Sequence, residues 1–153
     1  MKLRLLAVGT RLPEWMAAGV EEYRRRLPKL LGFELQELKS GRAATVERSR
    51  KDEADRLLGR IGQDDLVVAL DERGQQWSTR DLAGRLGEWR DDSARVALLI
   101  GGADGLDESC RERASHTWAL SRATLPHGLA RVVAVEQLYR AWSLLNNHPY
   151  HRG

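Results

Sequence analysis

VALLIGGADGL, Val96–Leu106, runs five aliphatic residues without a break and then turns on two glycines. A strand with one wet face alternates apolar and polar residues. An unbroken aliphatic run is buried on both faces, as at the centre of a parallel sheet. LVVAL, Leu66–Leu70, repeats the pattern. Between the two, Ser78 and Asp81 form a capping-box start for a helix through Trp89. Strand, helix, strand with both strands buried predicts an α/β fold: an open, mostly parallel sheet with helices on both faces.

The flanking sequence extends this alternation. Lys2–Val8 predicts a first strand, and Pro13 opens a helix whose Leu12, Trp15, Met16, Gly19, Val20, Tyr23 and Leu27 fall on one face. Pro28 stops it. Phe33–Leu38 alternates as a half-exposed strand, and an amphipathic helix covers about Thr45–Leu58. A short helix follows Asp107, a last strand spans about Thr117–Leu120, and a final helix runs from about Leu129 to Leu145. With no repeat or linker, residues 1–153 read as a single domain.

Composition narrows the class. No apolar run approaches the ~18 residues of a membrane span, and MKLRLLAVGT is too short in apolar core for a signal peptide. The one cysteine, Cys110, excludes an internal disulfide and suits a reducing, cytoplasmic setting. Net charge is +3, unevenly spread: residues 1–60 carry +5, residues 61–110 carry −6 and residues 111–153 carry +4. Arg24, Arg25, Arg26 and Lys29 cluster at the end of the first helix, either to meet phosphates or as a solvated face.

Ligands of open α/β sheets bind beyond the carboxyl ends of the strands. Three loops leave such ends: Asp71–Gly74, Gly101–Leu106 and Ser121–Gly128. Together they can rim one crevice. GGADGL lets a ligand approach the backbone, or is a tight turn capped by Asp107. SRATLPHG carries Ser121 and Thr124, with Leu125 held extended by Pro126, and otherwise reads as a cap and turn. Dinucleotide and phosphate-loop fingerprints are missing, as are H-E-x-x-H and a G-x-S-x-G elbow. Cys110 reads as a packed helix residue rather than a nucleophile.

The chain's end, LYRAWSLLNNHPYHRG, is unusually rich in chemistry for a terminus. Val132, Val135, Leu138, Tyr139, Trp142 and Leu145 form a core stripe, and Glu136–Arg140 is a helix-stabilising i,i+4 pair or a catalytic one. Asn146, Asn147, His148, Tyr150, His151 and Arg152 then follow, with Pro149 stiffening them and ending the helix. Such side chains stack on bases or bind phosphate.

LSRATLPHGLARVVAVEQLYRAW (Leu120–Trp142) followed by NHPYHR (Asn147–Arg152) resembles the C-terminal signature of the ribosomal RNA large subunit methyltransferase H family. IGGADGL, LDERG and the AVGT opening match that family as well, and the resemblance covers the whole chain. It implies a SPOUT fold with a C-terminal trefoil knot, and a homodimer. The implied cofactor is S-adenosylmethionine, held by Leu70, Gly101, Gly102, Ser121, Arg122, Ala123, Thr124, Leu125 and Pro126. The implied reaction is methylation at N3 of a pseudouridine in 23S ribosomal RNA within the assembled ribosome, without a metal. On the substrate side stand Glu136, Arg140, His148, Tyr150, His151 and Arg152: His148, His151 and Glu136 as candidate bases, Arg140 and Arg152 as stabilisers of developing charge. The tail would then help build a site across the dimer. The rivals are a non-enzymatic RNA-binding module and a flavodoxin-like nucleotide binder. The latter needs a phosphate loop at an earlier strand, where Gly9 stands alone.

Overall fold

The computed structural model describes residues 1–152. Its strands are β1 (Lys2–Val8), β2 (Phe33–Leu38), β3 (Leu66–Gln76), β4 (Arg95–Ile100) and β5 (His116–Ala119). The helices are α1 (Glu14–Arg24), α2 (Val46–Leu58), α3 (Thr79–Asp91), α4 (Glu108–Arg113) and α5 (His127–Leu145), with 3₁₀ turns at Lys29–Leu31 and Pro149–Arg152. One sheet runs in the order β2-β1-β4-β3-β5, every pair parallel. β4 is central, as its unbroken aliphatic run requires.

Alternation along each strand sorts the core into two layers. Leu3, Leu5, Val68 and Leu98 face the α1/α3/α5 side with Leu82, Leu86 and Leu138. Leu6, Val8, Val67 and Leu99 face the α2/α4 side with Ala54, Leu57 and Cys110. Helix starts are written locally. Thr45 accepts the Arg48 N–H at 3.1 Å, Ser78 and Asp81 close a full capping box, and Asp107 accepts the Ser109 N–H at 3.1 Å.

Several expectations change at element ends. Pro13 sits one residue outside α1, and Trp15 is 63% exposed, so it does not join the expected core face. Asp71–Gly74 belongs to β3 rather than to a loop. Leu70 and Gln75 both oppose Trp118, so these four residues bulge out of the ladder between two paired segments. His127 begins α5 instead of preceding it. α5 ends before Pro149: Asn147 takes a left-handed conformation (φ 54°), and the His148 N–H returns to the Ser143 carbonyl at 2.8 Å.

At the sheet edge away from these loops, Asp65 ties strand starts together. It accepts from Arg4 at 2.7 Å, Arg95 at 3.0 Å and the Gly62 N–H at 2.8 Å. Burial penalises the Asp65 carboxylate, but the Gly62 N–H and the two guanidinium groups outweigh it and hold the group below the usual carboxylate range.

Candidate active site

The carboxyl ends of β3, β4 and β5 open onto one cavity of about 650 Å³, within the range of small-ligand pockets. All three segments expected to rim a crevice line it. Leu70, Gly101, Gly102, Ser121, Ala123, Thr124, Leu125 and Pro126 stand in its wall, whereas Arg122 is exposed and outside the lining.

GGADGL is both a turn and a cradle. The Gly105 N–H bonds the Gly102 carbonyl at 3.0 Å, and Gly105 has φ +81°. A Cβ on Gly101 would lie 2.6 Å from the Gly105 backbone, a distance at which the loop must shift. One on Gly102 would lie 3.1 Å from Val8. The two glycines therefore let the turn after β4 fold closely on itself and on Val8, at the wall of the cavity.

Hydrogen bonds join the three walls. Arg111 on α4 donates to Asp71 at 3.3 Å and to the Leu106 carbonyl at 2.9 Å, linking the β3 bulge to the glycine turn. The Thr124 hydroxyl donates to Glu72 at 2.6 Å, linking that bulge to the segment after β5. Leu70, Ile100, Leu106, Trp118, Leu120 and Leu125 supply an apolar interior, and Asp71, Glu72, Arg73 and Asp104 a charged rim in which Asp71 pairs with Arg73 and Arg111. Sequence reasoning missed Trp118, which is 2% exposed and stacks on Trp77 at 5.2 Å and 16°. Arg85 lies over the far side of Trp77 at 4.1 Å. An indole at the carboxyl end of a strand beside SRATLP was the available signal.

Arg131 was also missed, because it occupies a position in an apolar helix. It is fully buried, bonding Glu37 at 2.6 Å and the carbonyls of Val8 and Gly9 at 3.3 and 3.1 Å. It pins the end of β1, and Gly9 (φ +118°), against α5. Cys110 is fully buried, and burial pushes its thiol up to about 11, so it is a packing residue.

The tail folds back on its own α5. The Tyr150 ring lies 4.7 Å from Tyr139 and 6.3 Å from Tyr23, with the Arg140 guanidinium 4.8 Å away. The Tyr150 hydroxyl donates to Glu136 at 3.0 Å. Arg140 and Gln137 each donate to the same carboxylate at 2.8 Å. Burial, then Tyr23 and Glu136, push the Tyr150 phenol well above its ordinary range, so it stays protonated. His148 Nδ1 accepts the Tyr150 N–H at 3.2 Å, whereas His151 Nδ1 is buried with no partner among the described residues. Glu136, Arg140, His148 and Tyr150 are thus gathered at α5, Arg152 is exposed beside them in the same 3₁₀ turn as Tyr150, and none of these, nor His151, lines the cavity of the same chain.

A sequence model of the family described as "Predicted SPOUT methyltransferase" matches residues 1–151. The chain is 49% identical over 155 residues to the "Ribosomal RNA large subunit methyltransferase H" of Methylococcus capsulatus, covering 99% of this chain and all of that one. Among solved structures, a probable methyltransferase from Bordetella pertussis Tohama I aligns with a TM-score of 0.57 at 18% identity, over 92% of this chain and 95% of that one. A Legionella pneumophila protein described as a methyltransferase and solved with bound SAM aligns with a TM-score of 0.52 at 13% identity, over 93% and 66%. At such identities these structures speak for the fold alone.

Proposed function

The chain belongs to the SPOUT methyltransferase family, and from that premise we propose that it methylates N3 of a pseudouridine in 23S ribosomal RNA on the assembled ribosome. The observation that carries this is the match along 99% of the chain to a protein named for ribosomal RNA methylation. A ribosomal substrate makes the cytoplasm its place of work.

The cavity suits S-adenosylmethionine, which when bound supplies an electrophilic methyl group on a sulfonium. Gly101 and Gly102 form a tight turn in the cavity wall, the apolar interior can enclose an adenine, and the Glu72 carboxylate at the rim complements a cationic ligand. Leu70 and the stretch Ser121–Pro126 complete the wall, with Arg122 on its outer side.

The chain's own task is orientation and proton control. N3 of pseudouridine carries a proton that must leave. Glu136 already accepts three hydrogen bonds and braces Tyr150 and Arg140. His148 Nδ1 is engaged by the Tyr150 N–H. His151, whose Nδ1 has no hydrogen-bond partner among the described residues of the single chain, is the histidine assigned to receive the proton once substrate is bound. Arg140 and Arg152 offer positive charge to the carbonyl oxygens flanking N3, where negative charge develops.

Because none of the described tail residues lines the crevice of its own chain, the reading calls for a homodimer. One protomer's Tyr150, His151 and Arg152 would face the crevice of its partner. The 63% exposure of Trp15 supports a second protomer, since interface cores favour aromatic residues. The test is transfer of labelled methyl from S-adenosylmethionine to large ribosomal subunits lacking the modification. Label should enter the RNA. If it does not, while another ribosomal methyltransferase labels the same particles, the function is contradicted.

A further inference from the structure

We propose that the RNA backbone is gripped by the segment Lys39–Thr45 and the first turns of α2, with Lys39, Arg42 and Lys51 as the phosphate contacts. This rests on the ribosomal RNA reading above and adds the surface that delivers the substrate to the crevice.

The segment is built into the site. Glu53, 7% exposed, accepts the Gly41 N–H at 2.8 Å, and Ser49 accepts the Ala43 N–H at 3.0 Å, so the loop is fastened to α2. Its neighbour is the glycine turn. The Glu53 carboxylate lies 3.4 Å from where a Gly102 Cβ would be, and Arg50 reaches the Asp104 carbonyl at 3.5 Å. The surface is therefore continuous with the mouth of the crevice.

Its charge is one-sided. From Lys39 to Lys51 there are five Lys or Arg residues and one acid, Glu47. Arg48 pairs with Asp52 at 3.4 Å. Lys39, Arg42 and Lys51 are exposed and make no ion pair among the described residues. In the basic cluster at the end of α1, Lys29 is exposed and makes no ion pair among the described residues, but the three arginines are committed. Arg24 pairs with Glu21 at 2.9 Å, and Arg25 and Arg26 both pair with Glu22. Across the crevice Asp71 is held by Arg73 and Arg111 and Glu72 by Thr124, so that rim offers a polyanion no comparable run of unpaired cations. A phosphodiester chain reaching this crevice is drawn in over α2.

The experiment compares Lys39→Ala/Arg42→Ala/Lys51→Ala with Arg24→Ala/Arg25→Ala/Lys29→Ala, each in the full chain. Affinity for unmodified large ribosomal subunits is measured across a salt series. Each phosphate contact contributes roughly 0.7–0.9 to the slope of log affinity against log salt, so the α2 variant should lose about 2 from that slope. S-adenosylmethionine affinity and melting temperature should stay at wild-type values, and the α1 variant should keep its slope. Lys51→Glu is the second variant, expected to lower the slope by about 1. An unchanged slope in both α2 variants, or a loss confined to the α1 variant, overturns the proposal. Methyl transfer by the wild-type chain is scored on the same particles, so failure of the function is seen separately from failure of this surface.

Discussion

A methyl group on Gly101 would press into the Gly105 backbone. Gly101→Ala should therefore displace the glycine turn, cost about 1–3 kcal/mol of stability and lower methyl transfer by on the order of 100-fold. Calorimetric titration with S-adenosylmethionine and single-turnover transfer check both. At the same scale, His151→Ala should lower the single-turnover rate more than His148→Ala does. A larger loss from the His148 variant would reverse the two roles. The glycines and the caps Ser78, Asp81 and Asp107 were legible in the sequence because their work is local. Arg131 was not. A charge placed in an apolar helix signals nothing until Glu37 and the carbonyls of Val8 and Gly9 arrive from distant segments.

Elements were read well where burial dictates pattern, and less well where an edge or a bulge does. Val96–Ile100 and Leu66–Leu70 fall in adjacent buried strands. The β3 bulge was read as a loop, because Asp71–Gly74 has loop composition and its strand pairing resumes only at Gln75. Trp15 was misread because the α1 apolar stripe is wider than the surface α1 covers, leaving Val20 as its one buried residue. The Asp65 node makes an element-scale prediction. Removing its charge strands Arg4, whose side chain is 9% exposed, so Asp65→Asn should cost about 3–5 kcal/mol in urea unfolding at neutral pH. The pH dependence has a fixed sign. A carboxylate whose folded pKa is lowered contributes its stability above the unfolded value of about 3.9 and loses it as pH falls through the lower, folded value. The difference between wild type and Asp65→Asn should therefore shrink on acidification; a constant gap would contradict this role.

For the whole molecule, the basic stretch of the first sixty residues places a run of unpaired α2 cations beside the crevice, while the acids of the middle stretch, such as Asp71, are largely paired with arginines. Which basic cluster stays unpaired was not legible, since Glu21 and Glu22 neutralise the α1 arginines only once the helix forms. The trefoil knot expected from the resemblance belongs to the path of the whole chain, and the same strand order can be written with or without threading. The proposed dimer is likewise invisible to local pattern, yet it makes a prediction. Gly101→Ala and Tyr150→Ala/Arg152→Ala chains, each inactive, should regain roughly a quarter of wild-type activity when mixed as dimers, because one composite site in each mixed pair is intact. No recovery would place the tail in the crevice of its own chain. The most direct measurement is mass analysis of nucleosides from unmodified ribosomes incubated with the protein and S-adenosylmethionine. Appearance of 3-methylpseudouridine is the predicted result. Its absence, or a methyl group on any other nucleoside, contradicts the account.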